Sequence, residues 1–265
     1  MKANKPKPKI SLIMPAYKAE KFIKEVTLAR LKELKALGLP YELIVVIDGY
    51  SKPTADALRS VKDKGLKVLH YEKNRGKGFA VKFGVLRATG DFVGFIDAGK
   101  DIKNGNIKRI IDRIRKGDVD AVIPSKWHPD SRVVYPASRK LYSRFYNLIS
   151  RPLLGFKAKD TQVGAKVFTR ELVDKVFPRI LVKRFAFDVE VLAVAKRLGH
   201  GRFAEVAIDL EDDADSTVKL TDGLHSFWDT LAVFYRLRIL RYYDKPQSLE
   251  NKVIKHEIPN LKLID

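Results

Sequence analysis

Ile10–Met14 is an unbroken apolar run closed by Pro15, which predicts a buried strand followed by a loop over Ala16–Lys18. Apolar residues then recur at Phe22, Ile23, Val26, Leu31, Leu34 and Leu37, the spacing of a helix over Glu20–Leu37 that Gly38 ends. Tyr41–Ile47 is apolar at nearly every position, as strands buried on both faces are, and the turn Asp48–Ser51 follows it. A helix over Pro53–Val61, a strand over Leu66–Leu69 and a glycine-bearing loop over Asn74–Gly78 come next. That loop opens a helix running to Ala88, and Phe92–Ile96 is a fourth strand ending at Asp97. A helix over Asn104–Arg115 and a strand over Val119–Ile123 complete a regular alternation. Such alternation predicts an α/β fold: a mostly parallel, Rossmann-like sheet flanked by helices and joined by right-handed crossovers.

The second half changes character. Trp127–Val134 is polar and rich in turn formers, and Pro136–Leu154 mixes Arg139, Lys140, Arg144 and Arg151 with Tyr142, Phe145 and Tyr146. Gln162–Phe168 reads as a strand, Arg170–Val176 and Phe187–Leu198 as helices, Arg202–Ile208 as a strand, and Glu211–Asp215 as an acidic loop. A last helix is predicted over Gly223–Tyr243. There is no internal repeat and no clear linker. The expected organisation is a flexible basic arm over 1–9, one domain over 10–243 with halves 10–125 and 126–243, and a tail over 244–265.

Composition narrows the chemistry. The 265 residues hold 52 Lys and Arg against 32 Asp and Glu, so the formal charge is +20, and an anionic partner is expected. The absence of cysteine excludes disulfides, thiolate metal sites and cysteine nucleophiles. No apolar run is long enough to span a membrane, and Met1–Lys9 does not read as a signal peptide. Zinc-ligand spacing and RNA-binding signatures are also missing, so no nucleic-acid partner is expected.

In an open parallel sheet, ligands gather beyond the carboxyl ends of the strands. Pro15–Tyr17, Asp48, the Asn74–Lys77 loop, Asp97 and Lys126 all fall there by this reading. Taken singly, several have plain structural readings. Asp48 begins a common Asp-Gly turn, Asp101 can cap the following helix, and Asp188 suits a helix N-terminus. Gly76-Lys77-Gly78 lacks the spacing of either the ATPase or the dinucleotide glycine loop. Asp97 and Asp101, with Gly99 between them, are two carboxylates that can share a hard divalent ion whose remaining ligands come from a diphosphate. Asp160 can accept a proton from an attacking group.

These residues resemble the family 2, GT-A-type inverting glycosyltransferases, most closely the dolichyl-phosphate β-glucosyltransferase group, with the polyprenyl-phosphate mannosyltransferases as cousins. The likeness runs over roughly residues 9 to 243. Pro15-Ala16-Tyr17-Lys18-Ala19-Glu20 stands where the family has PAYNE, with Lys18 in place of the Asn, and Val45–Tyr50 resembles its VVDDGS with only the second acid kept, as Asp48, and Ile47 and Tyr50 in place of polar residues. Asn74, Gly76, Lys77, Gly78 and Ala80 fit N-x-GKG-A, and Gly90, Asp91, Asp97 and Ala98 fit GD-x-x-x-x-x-DAD. Asp160–Arg170 matches DTQ-x-G-x-K-x-F-T-R, and Arg184–Leu192 resembles the group's R-W-AFDVE-L with Phe185 in place of the Trp.

The resemblance implies a GT-A fold, a nucleotide-sugar donor (UDP-glucose first, GDP-mannose second) and a dolichyl or other polyprenyl phosphate acceptor. It places Pro15, Ala16, Tyr17, Glu20, Asp48, Asn74, Lys77, Asp97 and Ala98 on the donor. Asp97 and Asp101 would address Mg²⁺ or Mn²⁺, Gly99 standing where the family has its second acid. Lys126, Arg139, Gln162, Asp188 and Glu190 would shape the acceptor side. Asp160, Asp97 and Arg139 are the residues expected to act on the reacting centre. The alternatives are a family 2 enzyme with another acceptor and a nucleotide-sugar-binding protein without turnover. A cytoplasmic location is expected, with basic amphipathic segments able to touch an anionic membrane face.

Overall fold

The structure, a computed structural model, describes residues 9–134, 155, 160–161, 163–184, 186–211, 220–245 and 262–263. The basic arm before residue 9, the amphipathic stretch over 136–154 and most of the tail lie outside them.

Eight strands form one sheet. The strands are β1 (Ile10–Ala16), β2 (Tyr41–Asp48), β3 (Leu66–Tyr71), β4 (Phe92–Ile96), β5 (Ala121–Ser125), β7 (Ala165–Thr169), β8 (Phe203–Ala207) and β10 (Lys262–Leu263). Their order is β10-β3-β2-β1-β4-β7-β5-β8. β3, β2, β1 and β4 run parallel, with Ile10 opposite both Tyr41 and Phe92. β6 (Arg132–Val133) and β9 (Asp209–Leu210) pair in parallel as a separate short ribbon.

The unbroken apolar runs are explained by helices on both faces. α3 (Lys77–Val85), α5 (Arg170–Val176) and α6 (Phe187–Arg197) cover one face, where Ile13, Ile44 and Val46 pack with Phe83, Phe168, Phe177 and Phe187. α1 (Ile23–Ala36), α2 (Lys52–Arg59) and α4 (Asn106–Ile114) cover the other, where Leu12, Met14, Leu43 and Val45 meet Leu34, Leu58 and Ile111. Successive strand residues therefore alternate between two dry layers. Two capping side chains fix helix entries: Ser51 accepts from the Thr54 N–H at α2, and Thr169 from the Leu172 N–H at α5.

One feature adds to the reading of a mostly parallel sheet, and another departs from the sequence expectation. β7 is antiparallel to both neighbours, pairing Ile96 with Ala165 on one side and Val122 with Val167 on the other. The last helix is not continuous to Tyr243. α7 (Leu220–Phe234) passes into a π-helical turn over Tyr235–Ile239, and Arg241 turns left-handed at φ 48° before a 3₁₀ turn over Tyr242–Asp244.

Candidate active site

The reversed strand is what completes the site. β1 to β5 all end at one edge of the sheet, and because β7 runs the other way its amino end arrives at that same edge. Asp160, Thr161, Val163 and Gly164 precede β7, and Gly164 accepts a hydrogen bond from the Asp97 N–H at 2.7 Å. A carboxylate from the second half thus reaches the strand ends of the first.

Asp48, 3% exposed at the end of β2, organises the neighbouring loop. Its Oδ1 accepts from the Tyr71 hydroxyl at 2.8 Å and the Arg75 N–H at 2.7 Å. Its Oδ2 accepts from Asn74 Nδ2 and the Gly76 N–H, both at 2.9 Å. Both oxygens are spent on Tyr71 and the loop after it, so Asp48 presents no free carboxylate to a nucleotide. The loop then turns at Gly76, whose φ of +96° suits glycine and where a Cβ would stand 2.4 Å from the Lys183 carbonyl oxygen. That turn delivers Lys77 to the site.

From Lys77 onward, opposite charges alternate through a buried ladder. The Lys77 ammonium sits 2.9 Å from Asp97 Oδ1 and donates to Asp97 Oδ2 at 3.0 Å. It lies 3.6 Å from Asp188 Oδ2. Asp188 Oδ1 accepts from Lys166 Nζ at 2.5 Å, and Lys166, fully buried in β7, also donates to the Val163 carbonyl at 2.8 Å. Asp160 is also fully buried; its Oδ2 accepts from the Lys126 N–H at 3.0 Å and lies 3.2 Å from Lys126 Nζ. Both Lys77 and Lys166 also lie over the Phe95 ring, at 5.4 and 5.3 Å.

Burial sets the protonation balance. It lowers the Lys77 pKa less than Asp97 and Asp188 raise it, so the ammonium is held charged. Burial raises the Asp97 pKa against the pull of Lys77, with Asp188 and Asp101 adding to the rise. The Asp97 side chain as a whole is 35% exposed, and the burial falls on Oδ1, which is shielded from solvent and receives no directed hydrogen bond. For Lys166 burial lowers the pKa and outweighs Asp188.

Pro15 is half-buried, Ala16 and Ala98 are buried, and Tyr17 stands out from the end of β1, 48% exposed. Glu20 accepts from Thr54 Oγ1 at 3.4 Å, tying the loop after β1 to the start of α2. Asn74 meets Asp48 as described. Asp101 is near enough to act electrostatically on Lys77 and Asp97. Glu190 departs from the expected acceptor-facing role. It is fully buried, Oε2 accepting from the Leu181 and Val182 N–H groups at 3.0 and 2.8 Å and Oε1 from the Tyr243 hydroxyl at 2.5 Å. It pins the backbone that lies against Gly76 and Gly78 rather than facing open space. Arg139 and Gln162 lie outside the described residues. Sequence reasoning assigned no role to Lys166, although a lone lysine in the apolar run Val163–Phe168 signals a buried ion pair. Gly164 was likewise unassigned; a Cβ there would stand 2.1 Å from Asp97 Oδ2.

Among the described residues no three His, Cys, Asp or Glu side chains cluster as a metal site. Asp97, whose two oxygens already face the Lys77 ammonium at 2.9 and 3.0 Å, and Asp101, which acts on it electrostatically, are carboxylates at this edge. Carboxylate oxygens are the donor type that a hard divalent ion takes alongside the oxygens of a diphosphate.

The chain matches the family model "Glycosyl transferase family 2" over residues 11–177. It is 34% identical over 249 residues to a dolichyl-phosphate beta-glucosyltransferase of Dictyostelium discoideum, covering 86% of this chain and 74% of that protein. It is 30% identical over 217 residues to glycosyltransferase AglD of Haloferax volcanii, covering 80% of this chain and 34% of that longer protein. Its fold is similar to glucosyl-3-phosphoglycerate synthase of Mycobacterium tuberculosis, solved with Mn²⁺, UDP-glucose and phosphoglyceric acid. The TM-score is 0.64 at 20% identity, over 91% of this chain and 82% of that one. With the GT-A sheet, the charged strand-end ladder and these matches in place, the chain belongs to glycosyl transferase family 2 and is a hexosyltransferase.

Proposed function

We propose that this enzyme transfers glucose from UDP-glucose to dolichyl phosphate or a related polyprenyl phosphate, with inversion at the anomeric carbon. The observation that carries the reading is the ladder Asp97–Lys77–Asp188–Lys166 at the sheet's carboxyl edge, with Asp160 and Lys126 beside it. It belongs to a chain 34% identical to a dolichyl-phosphate beta-glucosyltransferase.

In this mechanism an acceptor phosphate oxygen attacks the anomeric carbon of the donor sugar. The bond from that carbon to the UDP oxygen breaks, its electron pair leaves with UDP, and a sugar phosphodiester remains. The acceptor is already anionic near neutral pH, so Asp160, held by the Lys126 N–H and ammonium, orients the attack more than it removes a proton. Lys77 faces the charge that builds on the leaving diphosphate. Asp97 and Asp101 would hold Mg²⁺ or Mn²⁺, which would supply further positive charge there. Asp48 acts one step back, holding the Asn74–Gly76 loop that delivers Lys77. No helix among the described residues is long and apolar enough to cross a membrane. We place the enzyme peripherally, on the cytoplasmic face of the membrane that holds its acceptor.

Calorimetry with UDP-glucose, UDP-galactose and GDP-mannose, each with and without Mn²⁺, tests the donor assignment. Selective binding of UDP-glucose, strengthened by Mn²⁺ and lost in Asp97→Ala, is expected. Selective binding of GDP-mannose would move the enzyme to the mannosyl-transferring cousins, and metal-indifferent binding would remove the cation.

A further inference from the structure

The end of α7 and the turns after it carry two apolar faces, and only one is packed. Ser226, Thr230, Val233 and Leu237 recur at helical spacing and are buried against the core. On the far side of the helix, two residues along from the packed positions, stand Trp228, Tyr235 and Ile239. They are 66%, 52% and 62% exposed, and Leu240 beside them is 50% exposed. These four are half of the eight large hydrophobic side chains that the described residues expose, and they lie within thirteen consecutive positions. Single exposed apolar residues need no explanation, but a cluster does.

The same segment also carries cations. Arg238, Arg241 and Lys245 are exposed. Arg238 also lines a cleft of about 210 Å³ with Gly155, Ala193, Lys196, Arg197 and Leu237. Within that cleft Arg197 is paired with Asp244 at 2.6 and 2.8 Å, and Lys196 donates to the Gly155 carbonyl. Asp229 is half-buried on the same helix, so positive charge remains in excess. The face is also held rigid. Arg236 Nε donates to the Tyr243 hydroxyl at 3.0 Å, and that hydroxyl donates to Glu190 of α6, so the π turn is anchored to the core.

We propose that Trp228, Tyr235, Ile239 and Leu240 form the surface by which this enzyme docks on an anionic lipid bilayer. The aromatic and aliphatic side chains enter the headgroup boundary. The Lys196–Arg238 cleft, with Arg241, meets lipid phosphates. The inference rests on the lipid-phosphate reading above only for its purpose, since a transferase whose acceptor stays in a membrane must reach that surface.

The test is flotation of the full chain with vesicles of phosphatidylcholine alone or with added phosphatidylserine, alongside Trp228 fluorescence in a Trp127→Phe background. Binding to the anionic vesicles with a blue shift of Trp228 emission is expected. Trp228→Ser/Ile239→Ser should weaken it by about tenfold or more, and Arg238→Gln/Arg241→Gln by about fivefold per charge. Donor binding and the melting temperature should not change in these variants. Wild-type protein that stays off anionic vesicles, or a double variant that floats equally well, overturns the proposal. So does Trp228 emission already blue-shifted and protected from quencher without vesicles, since another segment of the chain then covers the face. A dimer broken by the double variant overturns it in favour of self-association. Transfer to a short-chain water-soluble polyprenyl phosphate reports separately on the catalytic reading. If that transfer fails while vesicle binding holds, the function falls and the docking surface stands.

Discussion

Gly164→Ala puts the site's geometry under direct strain. A Cβ at this position would stand 2.1 Å from Asp97 Oδ2, 2.5 Å from its Cγ and 3.0 Å from its Cβ. Ordinary contact begins near 3.4 Å, so the nearest atom must retreat by 1.3 Å. The backbone cannot easily yield, because the Asp97 N–H is bonded to the Gly164 carbonyl at 2.7 Å and Ile96 is registered against Ala165. The Asp97 carboxylate is the free end and must move. It then leaves Lys77, now 2.9 and 3.0 Å from its two oxygens. A misplacement of about 1 Å at reacting groups can cost about 100-fold in rate. Overpacking of this size costs about 1–3 kcal/mol in stability. Steady-state kcat/KM for sugar transfer should therefore fall by about 100-fold, while circular dichroism shows a folded protein. Gly201→Ala is the control, since a Cβ there meets nothing nearer than 3.5 Å. If Gly164→Ala keeps kcat/KM within about twofold of wild type, Asp97 is not the positioned carboxylate argued for here.

Other consequences follow from the buried charges. Lys166→Met strips Asp188 of its 2.5 Å partner in a dry site, and urea denaturation should show a loss of about 3–5 kcal/mol, at the low end because Lys77 remains 3.6 Å away. Adding Asp188→Leu should restore most of it, and no recovery would mean that packing rather than charge was lost. At the opposite edge of the sheet, burial raises the pKa of Glu42, but Lys67, Ser11 and the Thr89 N–H outweigh it and the net shift is downward. Its contribution to stability is therefore complete above about pH 4.5 and drains away as pH falls through the lowered folded value. Melting curves between pH 6 and pH 2 should show a shallower acid limb in Glu42→Gln, and an unchanged limb would refute the assignment. Tyr243→Phe removes the hydroxyl between Arg236 and Glu190 and should cost about 1–3 kcal/mol by thermal melt. A melt indistinguishable from wild type would show that Glu190 is satisfied without it.

Much of the first half was legible because its strands are buried on both faces. Tyr41–Ile47 needs no alternation when α3 packs on one side and α1 and α2 on the other, so the apolar run and its boundary at Asp48 stand out. Asp97 was legible for the same reason, as the first charge after Phe92–Ile96. The direction of β7 was not, since Ala165–Thr169 reads the same whether it runs with or against β4. That direction is what brings Gly164 to Asp97 and Asp160 to Lys126 at the end of β5. The role of Glu190 was hidden too. Phe187–Ala195 is buried throughout, so its pattern gives no sign of which way an acid points. The break after Phe234 was equally silent, because a π turn keeps the apolar and basic composition of the helix it interrupts.

The most direct measurement is of the product itself. The full chain, Mn²⁺, UDP-glucose and a short-chain polyprenyl phosphate are incubated together, and the lipid product and released nucleotide are analysed by NMR. A β-linked glucosyl phosphodiester is expected, with one UDP released for each product formed, and it is lost in Asp97→Ala and Gly164→Ala. An α-linked product, or turnover that persists undiminished in Asp97→Ala, would contradict the proposed transfer.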